Sequence, residues 1–207
     1  MKERITKFSN LEIGDSLSSF DGHAAQQYHG VYEVFYEFLK EVKPKRILEI
    51  GTALGGFTSF LKLCCNELGL DTNIRSYDVH SNPWYKDMID SGIDVRVENI
   101  FSEEFKSIDE EVIEYINGDG VTIVLCDGGW KIGEFNILSN HIKLGDFIMA
   151  HDYAYDKEFF NNHINGKIWN WHEISEMDIQ EACVRNNLQT YKKEIFDYVV
   201  WVCKKKV

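Results

Sequence analysis

The sequence has few of the features that mark secreted, membrane-spanning or nucleic-acid-binding proteins. No apolar run is long enough to cross a bilayer, and the polar N-terminal stretch does not resemble a secretory signal. The five cysteines have no CxxC spacing, which argues for reduced thiols and against a structural zinc. Lysine and arginine number 22 against 34 acidic residues, whereas binding to phosphate backbones needs clustered basic residues. We therefore expect a soluble, cytoplasmic protein that binds neither nucleic acid nor membranes.

The composition predicts one globular domain over residues 1–207. The chain has only two prolines and no Gly/Ser-rich linker, and hydrophobic residues make up 44% of it. Its length is enough for one α/β domain with a substantial core. Residues 1–24 are polar and mixed, so we expect an irregular lead-in or lid there, with no firm role in the core.

Apolar patterns of period two and of helical period alternate along the chain. Such alternation predicts an α/β fold, a parallel sheet with right-handed crossovers and helices on both faces. The last two strands follow each other so closely that only an antiparallel hairpin fits between them. The predicted strands cover 47–50, 74–78, 94–98, 121–126, 146–150, 189–194 and 197–203, and the predicted helices 31–42, 57–68, 83–92, 103–116, 132–142 and 176–187.

A glycine turn after the first of these strands is the strongest single motif. The strand ends at Ile50, and a helix whose free N–H groups face the turn begins near Phe57. The carboxylate of Glu49 suits a ligand that carries an ammonium group, and Ala53 stands where a dinucleotide site needs its second glycine. The pattern resembles the first motif of class I S-adenosylmethionine-dependent methyltransferases, in which the cofactor would contact Glu49, Gly51, Thr52, Gly55 and Gly56.

Polar residues follow the other strands at the edge of the sheet where α/β proteins bind ligands. Asp78 is positioned to accept hydrogen bonds from two ribose hydroxyls, and Asn99 and Ile100 to contact the edge and face of an adenine. Asp127 and Asp152 follow neighbouring strands, so their carboxylates can converge on one hard cation such as Mg²⁺. The alternative for Asp127 is a helix cap or a contact with the methionine end of the cofactor.

The order of these motifs is similar to that of the macrocin O-methyltransferase and cephalosporin hydroxylase group over roughly residues 26–156. That resemblance implies a Rossmann-like methyltransferase fold closed by the antiparallel hairpin, and metal-dependent methylation of sugars and natural products. It also implies a magnesium site formed by Asp127, His151 and Asp152, although the group has an acid where this chain has His151. The group often has a histidine base three residues after the first aspartate, where this chain has Trp130.

Deprotonation of an alcohol needs a base or a metal that lowers the pKa of the hydroxyl. Two residues compete for the role of base. Catechol-type methyltransferases use a lysine in the loop that contains Lys131, which would need a depressed pKa, and His151 is the alternative that we prefer. The 153–175 segment is rich in aromatic residues and predicts an acceptor pocket or, equally, a hydrophobic cluster over the sheet edge. Its candidates for acceptor binding are Tyr153, Trp169, Trp171 and His172.

The sequence therefore predicts an S-adenosylmethionine-dependent O-methyltransferase, assisted by a divalent cation and acting on a hydroxyl of a sugar or glycan. Two alternatives stay open: a nicotinamide-dependent oxidoreductase, which Ala53 argues against, and a non-catalytic module that binds the cofactor. The sequence does not fix the acceptor or the oligomeric state, and a homo-oligomer is one alternative.

Overall fold

A seven-stranded sheet organises the chain in the computed structural model, which describes residues 11–13, 18–102 and 105–207. Its strands are β4 (Arg46–Ile50), β5 (Asn73–Asp78), β6 (Asp94–Val97), β7 (Thr122–Cys126), β8 (Phe147–His151), β11 (Leu188–Thr190) and β12 (Trp201–Lys206). Their order across the sheet is β11-β12-β8-β7-β4-β5-β6. Strand β12 pairs antiparallel with both neighbours, and the other pairs are parallel. The predicted Rossmann-like methyltransferase sheet with its antiparallel closure is thus confirmed.

The helices follow the predicted alternation, although several of them are shorter than predicted. They are α1 (Val31–Val42), α2 (Gly56–Glu67), α3 (Tyr85–Asp90), α4 (Glu110–Asn117), α5 (Lys131–Leu138), α6 (Lys157–Phe159), α7 (Glu176–Arg185) and α8 (Lys193–Phe196). The helix predicted over 103–116 begins only at Glu110. Residues 103 and 104 lie outside the described residues, and Phe101 pairs with Ile108 in an isolated antiparallel bridge before the helix begins.

The prediction of the C-terminal strands was wrong in detail. Helix α8 and a 3-10 turn at Asp197–Val199 separate β11 from β12, so the two strands are not joined by a tight hairpin. Phe196 occupies the core between them and is 1% exposed. Lys204 is buried in β12, where its ammonium group donates to Glu176 Oε1 at 2.7 Å. The apolar pattern did not reveal this short helix because it spans only one turn.

The described part of the lead-in forms a small antiparallel sheet instead of an irregular segment or lid helix. Its strands are β1 (Leu11–Ile13), β2 (Ser18–Phe20) and β3 (His23–Ala24). Phe20 is 3% exposed and packs edge-on against Phe60 of α2, with ring centroids 5.6 Å apart. This segment therefore contributes to the core; residues 1–10 and 14–17 of the predicted lead-in lie outside the described residues.

Two apolar layers cover the faces of the large sheet. One contains the aromatic side chains of α1 and α2, with Phe35 edge-on to Trp201 at a centroid distance of 5.2 Å. The other packs α4, α5 and α7 against β7 and β8. All five cysteines are buried and free, as predicted. Among the described residues, no helix has the length and apolar character needed to span a membrane.

Candidate active site

The glycine turn brings the ends of two neighbouring strands into close contact. Gly51 has a φ of 97°, and a Cβ atom there would lie 2.2 Å from the carbonyl oxygen of Asp127. Its own N–H donates to the Tyr77 carbonyl at 2.8 Å. Position 51 thus needs glycine both for its conformation and for its space. The turn ends at Gly55, the N-cap of α2, which has a φ of 79°.

A cavity of about 230 Å³ lies on the β5 side of Gly51. Four of the predicted cofactor residues line it: Gly51, Asp78, Asn99 and Ile100. The two carboxylate oxygens of Asp78 accept the backbone N–H groups of Ala53 at 2.7 Å and His80 at 2.9 Å, which ties the strand end to the glycine turn. We call this the adenine cavity, after the group that the sequence places here.

The apolar wall of the adenine cavity includes residues that the sequence analysis missed. Phe105 stacks on Phe101 at a centroid distance of 4.6 Å, and Trp130 meets Phe105 edge-on at 4.5 Å. Trp130 stands at the sequence position where the macrocin O-methyltransferase group often has a histidine base. Its side chain lines this cavity and is 49% exposed. No local pattern joins Phe101 and Phe105 to Trp130, so the sequence did not indicate this wall.

Glu134 holds the loop between the two cavities in place. Its carboxylate accepts the N–H groups of Gly128 and Trp130, each at 3.1 Å. Burial raises the pKa of Glu134 to about 7, against the backbone hydrogen bonds that lower it. A Cβ atom at Gly128 would lie 2.3 Å from the Glu134 carboxylate, so glycine is required for this contact. No sequence pattern indicated this role of Glu134.

A second cavity of about 170 Å³ lies on the other side of Gly51 and is lined by charged groups. Its walls include Glu49 and Thr52 of the glycine motif, with Asp127, Lys131, His151 and Asp152 opposite. We call it the acidic cavity. Burial raises the pKa of Glu49 to about 7, while hydrogen bonds from Ser76 and Thr58 lower it. The Thr58 hydroxyl donates to Glu49 Oε2 at 2.5 Å, so Glu49 is anchored inside the fold.

Both carboxylate oxygens of Asp127 have partners. Gln27, which the sequence analysis did not single out, donates from Nε2 to Asp127 Oδ2 at 2.8 Å and accepts from Trp201 Nε1 at 2.9 Å. His151 Nδ1 lies 2.9 Å from Asp127 Oδ1. Asp127 is therefore fixed by groups that are distant in the sequence, and it does not serve as a simple helix cap.

The Lys131 ammonium lies among three carboxylates and is 6% exposed. Nζ is 2.7 Å from Glu173 Oε2, 3.2 Å from Asp152 Oδ2 and 3.6 Å from Asp127 Oδ1. Burial by itself lowers the pKa of Lys131, but the carboxylates raise it above its ordinary value. Lys131 is thus held as a cation, which contradicts the depressed pKa that a general base would need.

His151 is enclosed by aromatic rings at the end of β8. It stacks on Trp201 at 4.9 Å and meets Trp169 edge-on at 5.5 Å. Burial lowers the pKa of His151, and the charges of Asp127 and Asp152 raise it by more, so the net shift is upward. Nε2, the nitrogen left to accept a proton, is buried without a partner among the described residues. Because this nitrogen is buried, the preferred assignment of His151 as base is weakened.

Of the four predicted acceptor residues, only Trp171 lines the acidic cavity. It is 47% exposed and stacks on Trp169, with centroids 5.3 Å apart and rings 12° from parallel. Trp169 is buried in a small apolar cluster, and the Tyr153 hydroxyl donates to Glu176 Oε2 at 2.8 Å inside the fold. His172 contacts Phe160 instead of the cavity. Trp169 thus belongs to a hydrophobic cluster, whereas Trp171 lines a pocket, so each of the two alternatives for the 153–175 segment describes one of these residues.

The residues present fit S-adenosylmethionine. Gly51 lines both cavities, so one elongated ligand passing over the glycine would reach the apolar wall and the charged wall together. For a divalent cation, atoms of Asp127, His151 and Asp152 lie within 4.8 Å of one another, but the Lys131 ammonium is already placed among these groups.

Comparison with known proteins agrees with this geometry. The family model of FtsJ-like methyltransferases matches residues 28–149. Among solved structures, the apo form of CmcI-N160 is 13% identical with a TM-score of 0.63, and CmcI-D160 with Mg and SAM is 15% identical with a TM-score of 0.62; each match covers 91% of this chain and 76% of the other.

NcsB1, an O-methyltransferase from neocarzinostatin biosynthesis in complex with S-adenosylhomocysteine and 1,4-dihydroxy-2-naphthoic acid, is 11% identical with a TM-score of 0.50, over 86% of this chain and 57% of NcsB1. A search of curated protein sequences found no match. The family match favours the methyltransferase over the oxidoreductase alternative. The chain belongs to the FtsJ-like methyltransferase family and is a class I S-adenosylmethionine-dependent methyltransferase.

Proposed function

We propose that this protein is an O-methyltransferase that acts on a hydroxyl group of a sugar or glycan. The observation that carries the proposal is the acidic cavity, in which Asp127 and Asp152 adjoin the glycine motif and Trp171 stands half-exposed at the wall. Carboxylates accept hydrogen bonds from hydroxyl groups, and an aromatic face packs against the apolar side of a sugar ring. Both features serve an acceptor that carries hydroxyls.

The cofactor, when bound, supplies an electrophilic methyl group on a sulfonium. Asp78 would hold the ribose, and the wall formed by Phe101, Phe105 and Trp130 would hold the adenine. Such contacts would direct the methionine end of the cofactor toward the acidic cavity. Most of the acceleration of such a displacement comes from aligning donor and acceptor, which a rigid cavity provides.

The acceptor hydroxyl must lose its proton as its oxygen bonds to the methyl carbon. Asp152 faces the cavity and follows directly after β8, so its carboxylate is placed to accept that proton. Its φ of 55° lies in the left-handed region, which an aspartate adopts at modest cost. His151 would support the reaction by holding Asp127 in place. The divalent cation expected from the sequence stays a prediction, and the proton transfer to Asp152 does not require it.

A flat phenol is the second acceptor class, and the dihydroxynaphthoic acid in the NcsB1 structure favours it. The test is transfer of a radiolabelled methyl group from S-adenosylmethionine to a panel of alkyl glycosides and to catechols. We expect alkali-stable methyl ethers on a glycoside. Transfer to phenols only would contradict the sugar assignment, and cofactor binding without transfer to any acceptor would favour the non-catalytic alternative.

A further inference from the structure

The position of Lys131 relative to the acidic residues has a chemical consequence for metal binding. Its ammonium donates to Glu173 Oε2 at 2.7 Å and to the Gly128 carbonyl at 3.1 Å, and it forms an ion pair with Asp152 Oδ2 at 3.2 Å. An oxygen of Asp127 lies 3.6 Å away. Lys131 is the first residue of α5, and its side chain extends back to these groups. The helix therefore fixes the position of the ammonium.

The carboxylates need such a cation. Asp127, Asp152 and Glu173 would repel one another if they were left without a positive charge between them. Lys131 lies within 3.6 Å of an oxygen of each of the three, so a single ammonium compensates the whole cluster. Glu173 comes from the segment before β10 (Ile174–Ser175) and is joined to Asp152 by a backbone hydrogen bond of 2.9 Å.

A divalent cation would have to share this space with the ammonium. Mg²⁺ requires oxygen ligands at about 2.0–2.1 Å in near-octahedral geometry. An ion bound to Asp127 Oδ1 and Asp152 Oδ2 would lie beside Lys131 Nζ and be repelled by its charge. In addition, the third candidate ligand is His151, a softer donor than magnesium prefers, and its Nδ1 is already directed at Asp127.

We propose that Lys131 is the resident cation of this site and replaces a divalent metal, so that methyl transfer by this protein needs no metal ion. Lys131 is a positioning residue: its ammonium holds the carboxylates of Asp127 and Asp152 together and orients Asp152 toward the acceptor. The inference rests on the proposed function for the reaction that it supports, but its test requires no acceptor.

The test is a titration with Mn²⁺, followed by the electron paramagnetic resonance of the free ion, on the full chain with S-adenosylhomocysteine bound. We expect no stoichiometric Mn²⁺ site in the wild type. Lys131→Met removes the ammonium and keeps the length of the side chain, and we expect it to bind one Mn²⁺ per chain. The double variant Lys131→Met, Asp152→Asn should lose that ion, which locates it in the acidic cavity.

The matched control is Lys40→Met, which removes an exposed lysine of α1 and should behave as the wild type. One Mn²⁺ bound by the wild type as tightly as by Lys131→Met would overturn the proposal. So would a Lys131→Met protein that binds S-adenosylhomocysteine but no Mn²⁺. If Lys131→Met does not fold, the wild-type Mn²⁺ titration still tests the proposal. We then also expect the wild type to bind S-adenosylhomocysteine with equal affinity in EDTA and in Mg²⁺. Failure to methylate any acceptor would count against the proposed function and leave these outcomes unchanged.

Discussion

The adenine cavity and the acidic cavity share Gly51 but are built from different kinds of interaction. The first has an apolar wall of Phe101, Phe105 and Trp130, and its wall residues come from consecutive loops beside β6 and β7. The second is lined by charged side chains whose partners lie far apart in the sequence, such as Gln27 and Asp127, which are separated by 100 residues. The difference teaches that the adenine cavity depends mainly on local loops, whereas the acidic cavity depends on contacts between residues far apart in the sequence.

The largest effect on cofactor affinity should come from adding a side chain at position 51, where the two cavities meet. Gly51→Ala places a Cβ atom 2.2 Å from the Asp127 carbonyl oxygen, so the ends of β4 and β7 must move apart. We expect affinity for S-adenosylhomocysteine to fall by about 100-fold or more, measured by calorimetry, since such a shift disturbs both cavities. The control is Gly69→Ala, also at positive φ but with nothing within 4 Å of the new Cβ. Similar affinities for the two variants would contradict the role assigned to Gly51.

Removing the charge of Asp152 should separate reaction from binding. For Asp152→Asn we expect the rate of methyl transfer to fall by about 10²–10⁴-fold, the usual contribution of acid–base catalysis. Affinity for S-adenosylhomocysteine should stay within about twofold, because the adenine cavity is untouched. The control is Asp119→Asn, which lies in the loop before β7, at the end of the strands opposite to the cavities. Unchanged turnover in Asp152→Asn would reject the role proposed for this carboxylate.

The buried carboxyl of Glu49 should make the free energy of unfolding depend on pH. Its pKa is about 7 in the folded protein against an ordinary value of 4.5, so between these values the folded state binds more protons. The stabilising contribution is complete below pH 4.5 and is lost as pH rises through 7. Relative to Glu49→Gln, the wild type should lose about 1–3 kcal/mol across this window in urea unfolding. Parallel stability curves for the two proteins would contradict the shift.

The smallest effects should distinguish the two aromatic walls. Trp130→Ala should weaken S-adenosylhomocysteine binding by about tenfold, the equivalent of about 1.4 kcal/mol, and leave the KM of the acceptor unchanged. Trp171→Ala should raise the acceptor KM by a similar factor and leave cofactor affinity unchanged. Both indoles are about half-exposed, so each variant serves as the control for the other. If either variant changes both quantities equally, the two walls are not independent.

Asp78→Ala provides a further check on the adenine cavity. The carboxylate fixes the Ala53 and His80 N–H groups and is the group placed to bind the ribose. We expect a loss of cofactor affinity of about 10–100-fold, the equivalent of one hydrogen bond to a charged group. Unchanged affinity, measured in the same titration as for Trp130→Ala, would remove Asp78 from the site.

The sequence by itself determined the parts of this protein that depend on local pattern. Strand β7 is an almost continuous apolar run, β4 carries a short apolar run around Glu49, and the turn at Gly51 needs a backbone that only glycine adopts easily. All three features are visible in a short window of residues. Asp78 follows from its place at the end of β5, because all parallel strands end at one edge of the sheet.

Only the tertiary structure decided which side chains meet in the acidic cavity. Lys131 and Glu173 are 42 residues apart, and nothing in either local pattern indicates their 2.7 Å contact. Likewise, the alternation of Trp169 and Trp171 did not show that one ring would be buried and the other would line the cavity. Periodicity encodes which face of an element is apolar. The direction of a polar side chain, and hence its charge partner, depends on elements brought together from distant parts of the chain.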